Sequence, residues 1–272
     1  MKPIPGLVTL VQARVGSTRL PGKVLLPLVG APLLVRVLER VVRARLSGTV
    51  VVVTTDRRED DAVVALCRRY GFPCFRGHPT DLLDRHVQAA RTFGARHVVK
   101  VPSDCPLIAP EVIDCVLASY GDRLGEVDYV SNLHPPSWPD GNDVEVASRE
   151  ALETAWREAS RTIEREHTTP FLWERPERFR IGNVAWDSGL DLSMSHRFTV
   201  DYPEDHAFAA RVYDALYPEN PGFGLREILA LLDADPGIAR LNARHAGVNW
   251  YRHHLGELRT VTPGMTRQAV EA

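Results

Sequence analysis

The chain has 272 residues, 44% of them hydrophobic and 25% charged, an ordinary composition with enough apolar material for one large α/β domain or two small ones. Its 33 lysines and arginines nearly balance 35 aspartates and glutamates, leaving a formal net charge of −2. That balance excludes a generally basic binder of nucleic acid or of a membrane surface, so any cationic site must be local.

No apolar run reaches transmembrane length, and MKPIPG leads directly into a strand pattern without a signal-peptide core, so a cytoplasmic protein is expected. Cys67, Cys74, Cys105 and Cys115 form no C-x-x-C pair and read as reduced thiols rather than a zinc knuckle.

In chain order, residues 7 to 12 (LVTLVQ) and 49 to 54 (TVVVVT) are short β-branched runs of the kind that fill buried parallel strands. Between them, APLLVRVLERVVRARL sets Leu33, Leu34, Val37, Leu38, Val41 and Val42 on one helical face and Arg36, Arg40 and Arg43 on the other. The β-α-β rhythm continues with a helix near 59 to 70, a strand near 73 to 76, a helix near 81 to 93, and a strand at 97 to 101 (HVVKV). A helix then starts at Pro110, a residue suited to a first turn. Strands alternating with helices predict a mostly parallel sheet covered on both faces.

After about residue 125 the rhythm changes. VDYVSN reads as a strand and HPPSWPDGND as turns. Helices follow at 148 to 159 and 163 to 174, strands near 179 to 184 and 196 to 200, and a helix from Pro203. The catalytic unit is expected to span 1–219, with an acceptor or subunit-contact region at about 125–195. An extension over 220–272 holds a helix at 224 to 233 and an extended tail.

The stretch QARVGSTRLPGK, residues 12 to 23, puts Arg14, Arg19 and Lys23 among small residues at the end of a strand. A basic, glycine-containing loop there can hold phosphates through inward N–H groups and cations. It is not a P-loop: five residues separate Gly16 from Gly22, and Val24 follows the lysine where Ser or Thr would meet magnesium. Three cations suit a nucleoside triphosphate. The alternative is a solvated loop whose arginines pair with nearby acids.

Ligands of open α/β sheets bind beyond the carboxyl ends of the strands. HVVKV runs into PSDCPLI and HRFTV into DYPEDH, which puts Asp104 and Asp201 at two such ends. Two carboxylates facing a phosphate loop suit Mg²⁺, which takes a few carboxylates together with phosphate oxygens and water. A helix N-cap is the alternative for either aspartate.

ARVGSTRLPGKVL, SDCPLI and TVDYPEDH, in that order, resemble the cytidylyltransferases of bacterial surface sugars, the group that includes the CMP-Kdo and CMP-sialic-acid synthetases. PDGNDVEV (139 to 146) and EREHTTPF (164 to 171) resemble in particular the spore-coat polysaccharide biosynthesis branch. The resemblance covers roughly residues 7 to 217. It implies a three-layer α/β/α nucleotidyltransferase fold of the glycosyltransferase-A type with a mostly parallel mixed sheet.

It also implies transfer of CMP from CTP to a small anionic acceptor, with Mg²⁺ and release of pyrophosphate. The nucleotide set is then Ala13, Arg14, Gly16, Ser17, Thr18, Arg19, Lys23 and Ser103, with Arg14, Arg19, Lys23, Asp104 and Asp201 catalytic and the two aspartates on the metal. VPSDCP departs from the Kdo enzymes just before the metal aspartate, where that family recognises the base.

The acceptor is expected to meet Arg85, Asp140, Asn142, Asp143, Glu145, Glu166 and His167. A solvated turn is the alternative for 140 to 145, a structural role for Glu166 and His167, and a solvated helix face for Arg85. His245, His253 and His254 read as surface residues. A homodimer is implied, with Phe171, Trp173, Phe179 and Trp186 available to line a subunit contact.

Two other functions fit the pattern less well. A glycosyltransferase of this fold would need D-x-D, and SDCP has one acid. A non-catalytic nucleotide-binding protein would be expected to lose a charged member of the set.

Overall fold

The β-branched runs become a sheet because their side chains can be buried on both faces at once. In the structure, a computed structural model that describes residues 2–267, the first half alternates strictly. It runs β1 (Leu7–Gln12), a small hairpin β2 (Pro27–Leu28) and β3 (Ala31–Pro32), α1 (Leu33–Arg43), β4 (Thr49–Thr55), α2 (Asp61–Tyr70), β5 (Cys74–Gly77), α3 (Leu82–Thr92), β6 (His97–Pro102) and α4 (Pro110–Asp122). The second half holds β7 (Tyr129–Ser131), β8 (Glu145–Ser148), α5 (Arg149–Glu158), α6 (Thr162–His167), α7 (Pro170–Trp173), β9 (Ile181–Asn183), α8 (Pro203–Leu216), α9 (Leu225–Ala234) and α10 (Pro236–Arg240).

One seven-stranded sheet runs in the order β5-β4-β1-β6-β8-β7-β9. β5, β4, β1 and β6 are parallel, β8 is antiparallel to both its neighbours, and β9 is parallel to β7. Leu7 and Val11 of β1 face one core, which α1, α2, α4, α8 and α9 cover. Val8 and Leu10 face the other, beneath α3, α5, α6 and α7. This is the two-residue alternation of a strand serving two layers. Each of these side chains contributes on the order of 1.5–3 kcal/mol on burial. Gln12 lies level with Val53 and Pro102, so three parallel strands end together and their following loops share one edge.

Several expectations change. Arg36 and Arg40 are buried, whereas Val42, assigned to the apolar face, is 48% exposed. The reason is that the chain beyond 220 covers α1: Arg40 donates to the carbonyls of Ile108 at 2.6 Å and Phe223 at 2.9 Å. The helix expected over 163 to 174 is two, α6 and α7, broken at Thr168, whose φ of 74° no α-helix accommodates.

The 196–200 segment is not a strand. It forms a single bridge, Asp140 to Arg197, and pairs with loops instead of the sheet.

The tail after 220 is not extended. It makes α9, α10 and several short turns, and it adds Phe223, Leu225, Ile228 and Leu232 to one core and Tyr251, Leu258 and Val261 to the other. His253 is exposed, but His245 is half-buried and stacks on Tyr202 at 4.0 Å. His254 is half-buried too, 6.0 Å edge-on from His167. Phe171, Trp173 and Phe179, expected at a subunit contact, are buried in the chain's own core.

Candidate active site

The loop after β1 is shaped by its own backbone. Ser17 N and Gly22 N both donate to Val15 O, at 2.8 and 3.1 Å. Gly22 sits at φ 70°, where a glycine costs least. Asp60, buried at the foot of α2, accepts from Val15 N at 2.7 Å and ties the loop down. The loop delivers Lys23, whose Nζ donates to Asp104 Oδ2 at 2.8 Å, Asp201 Oδ1 at 2.9 Å and Val200 O at 2.9 Å. Arg19 meets Asp201 Oδ1 at 2.7 Å. Arg14 is exposed and has no ion pair among the described residues.

Asp104 leaves β6 directly, and Asp201 reaches the same place by a different route. Residues 196 to 200 are held by Phe198 N on Asp140 O at 2.6 Å and Val200 N on Asp104 O at 2.7 Å. A Cβ on Gly141 (φ 101°) would stand 2.6 Å from Thr199 N, so only glycine lets the two chains approach. Beneath them lies Arg197, 3% exposed, a residue the sequence reading missed. It donates to Asp205 at 3.0 Å, Asp201 at 3.0 Å and Asp140 at 3.1 Å, and to Val248 O at 3.1 Å. Its position four residues before Asp201 was the available signal.

Burial alone would raise the Asp201 carboxyl, but Lys23 and then Arg19 outweigh it and hold the carboxyl at about 2. Burial likewise opposes the Lys23 charge, and Asp104 and Asp201 reverse that and raise its pKa.

These groups line one end of a cavity of about 490 Å³ that continues to His167 and Trp250. Ala13, Ser17, Thr18 and Ser103 line the nucleotide-side end, whereas Gly16 is exposed outside it. Gln12 also lines this end, and its Oε1 is buried without a partner among the described residues.

At the other end, several expected acceptor residues are engaged with the protein. Arg85 is buried and donates to His78 O at 2.7 Å and Pro79 O at 3.0 Å, and burial followed by Arg14 lowers it to about 10. Asn142 accepts from Ala109 N at 2.9 Å and donates to Pro139 O at 3.2 Å. Asp140 holds Arg197. Glu145 accepts from Tyr129 Oη at 2.7 Å, from Thr169 and from Lys100, the lone charge in the β6 run.

Three remain turned to the cavity. Asp143 accepts from Gly141 N at 3.2 Å, and burial with Asp104 nearby pushes it up to about 6. Glu166 is exposed at the rim. His167 stacks on Trp250 with centroids 3.7 Å apart, and burial pushes it down to about 3, so the ring is neutral. Trp250, which has no sequence signal, closes this end together with Asn249 and Tyr251.

Among the described residues no cluster of three His, Cys, Asp or Glu forms a metal cage. Asp104 Oδ2 and Asp201 Oδ1 nevertheless converge on one cationic point, now held by the Lys23 ammonium at 2.8 and 2.9 Å. Two carboxylate oxygens at one point fit a hard divalent ion when phosphate and water complete its shell.

The sequence model of one family, described as cytidylyltransferase, matches residues 8–258. An uncharacterized protein of Methanocaldococcus jannaschii is 35% identical over 175 residues, 64% of this chain and 70% of that one. The spore coat polysaccharide biosynthesis protein SpsF of Bacillus subtilis is 29% identical over 220 residues, 76% of this chain and 86% of that one. A 3-deoxy-manno-octulosonate cytidylyltransferase of Geobacter sulfurreducens is 40% identical over 117 residues, 43% of this chain and 46% of that one. The structure of a cytidylyltransferase from Leptospira borgpetersenii superposes with a TM-score of 0.81 at 29% identity, covering 86% of this chain and 96% of that one.

Proposed function

The chain belongs to the cytidylyltransferase family, and from that premise we propose that it transfers CMP from CTP to a small anionic acceptor used in surface polysaccharide or related biosynthesis. The observation that carries this reading is the convergence of Lys23, Arg19, Asp104 and Asp201 at the mouth of the basic loop.

In this reading the CTP phosphates lie against residues 13 to 19, where loop amides, Ser17, Thr18, Arg14 and Arg19 meet their charge. Asp104 and Asp201 hold Mg²⁺, which when bound neutralises phosphate charge and orients the α-phosphate. An acceptor oxygen attacks the α-phosphorus in line, and the bond to the β-phosphate oxygen breaks. Lys23 and Arg19 stabilise the charge gathering on the departing pyrophosphate. The acceptor lies toward Asp143, Glu166 and His167, and Asp143 takes the proton that the attacking hydroxyl gives up. Holding the two reactants in one closed cavity supplies most of the remaining acceleration.

No described helix is long and apolar enough to cross a membrane. A cytoplasmic location, a homodimer and a catalytic unit over 1–219 with an extension from 220 complete the proposal and rest on the resemblance.

Purified protein incubated with CTP, Mg²⁺ and a panel of sugar acids and other anionic hydroxy acceptors tests it by pyrophosphate release. The expected result is acceptor-dependent release with CTP. Release with no member of the panel, together with no binding of CTP, would overturn the reading.

A further inference from the structure

β1 is the central parallel strand, with its backbone bonded to β4 on one side and β6 on the other. Its alternation puts residue 12 on the same face as Val8 and Leu10, where an apolar side chain would continue the core. The residue is glutamine, and its Oε1 is buried with no partner among the described residues. An orphaned amide oxygen in a central strand is costly, so it persists where something else satisfies it.

The surroundings narrow what that is. Gln12 lines the cavity directly before Ala13 and Arg14, the start of the phosphate loop. Pro79 and Leu82 from the turn after β5 and Ser103 after β6 line the same end. Arg85 fixes that turn by donating to His78 O and Pro79 O. The result is a slot with rigid apolar edges and a planar amide in its wall. A phosphate carries no proton for Oε1 to accept, and a flat heterocycle with an amino group does.

Resting on the CTP reading above, we infer that Gln12 reads the base: its Oε1 accepts from the 4-amino group of cytosine, and its Nε2 donates to ring N3. Uracil presents the reverse pattern, an acceptor at position 4 and a donor at N3, and meets this amide acceptor-to-acceptor. The residue thereby sets the choice of nucleotide rather than the rate of the chemistry.

Direct titration tests this without knowledge of the acceptor. Mg²⁺ with CTP, UTP, or the pyrimidin-2-one analogue of CTP that lacks the 4-amino group is titrated into wild type and Q12L. Near-ultraviolet circular dichroism checks the fold. Wild type is expected to prefer CTP over the analogue on the order of ten-fold, and Q12L to bind the two alike, because the pair is lost on both arms of the cycle.

Where Q12L does not fold, Q12E serves. It keeps an acceptor but loses the donor to N3, so it is expected to bind CTP about ten-fold more weakly than wild type. A Q12L protein that keeps the wild-type preference, or a Q12E protein that binds CTP as wild type does, overturns the role of Gln12 and leaves the CTP reading standing. Wild type that binds no triphosphate overturns both.

Discussion

The two ends of the cavity are built in opposite ways. The nucleotide-side end comes chiefly from one contiguous loop at the end of one strand, plus two aspartates that meet at Lys23. The acceptor-side end is assembled from short pieces at 132 to 145, 166 to 173, 193 to 197 and 248 to 251. A loop that carries its own cations and small residues can be read from the sequence. A wall assembled from four distant segments depends on which of its charges pair with one another in the fold. Glu145 shows this: it is a free acid on paper and a satisfied partner of Lys100, Tyr129 and Thr169 in the structure.

Arg197 joins the two ends, and breaking it should damage both. Arg197→Leu leaves Asp140, Asp201 and Asp205 without their shared buried cation, a loss of roughly 3–5 kcal/mol by analogy with other buried pairs cut on one side. Denaturant unfolding measures it, and a variant within about 1 kcal/mol of wild type would remove Arg197 as the brace.

Lys23→Ala separates the ends. Asp201 keeps Arg19 at 2.7 Å and Arg197 at 3.0 Å, so the fold should hold. A lost charge-assisted contact to phosphate amounts to roughly 1.5–3 kcal/mol, a ten-fold or greater loss in CTP binding or turnover. Unchanged kinetics would reject the phosphate role.

Asp143 tests the acceptor end by pH. Burial and neighbouring acids raise its carboxyl from 3.8 to about 6, so the native state favours the protonated form. Wild type should therefore lose stability relative to Asp143→Asn as pH climbs from 3.8 through about 6. The variant's advantage should be on the order of 1–3 kcal/mol at about pH 8 and vanish at about pH 4. Thermal melts at the two pH values check the sign, and an advantage that grows in acid would contradict it.

Trp250→Ala should have the smallest effect and the most selective one. It removes the ring stacked on His167 and should raise the acceptor KM several-fold, the scale of one aromatic pair, while CTP affinity stays unchanged. An equal effect on CTP would erase the distinction between the ends.

The parallel half of the fold was legible because continuous β-branched runs and amphipathic helices have distinct periods. The 196–200 segment shows the limit: alternation in HRFTV signals extended backbone, and the sequence does not say whether its partner is a strand or a loop. Arg36 and Arg40 looked solvated because the cover on α1 comes from residues near 223, far along the chain. Trp250 lies in a stretch of short turns with no period to reveal which side faces inward. The basic loop and the two aspartates stood out because their charges adjoin strand ends and turns, where a buried core has no use for them.

The central claim is that Asp104 and Asp201, joined at Lys23, hold the cation that brings CTP to the basic loop. Calorimetric titration of CTP with and without Mg²⁺ into wild type, Asp104→Asn, Asp201→Asn and the double variant tests it most directly. Wild type should bind CTP far more tightly with Mg²⁺, each single variant should lose most of that gain, and the double variant should lose little more, because groups that act on one ion fail as a unit. A folded single variant that keeps the wild-type magnesium dependence would contradict the claim.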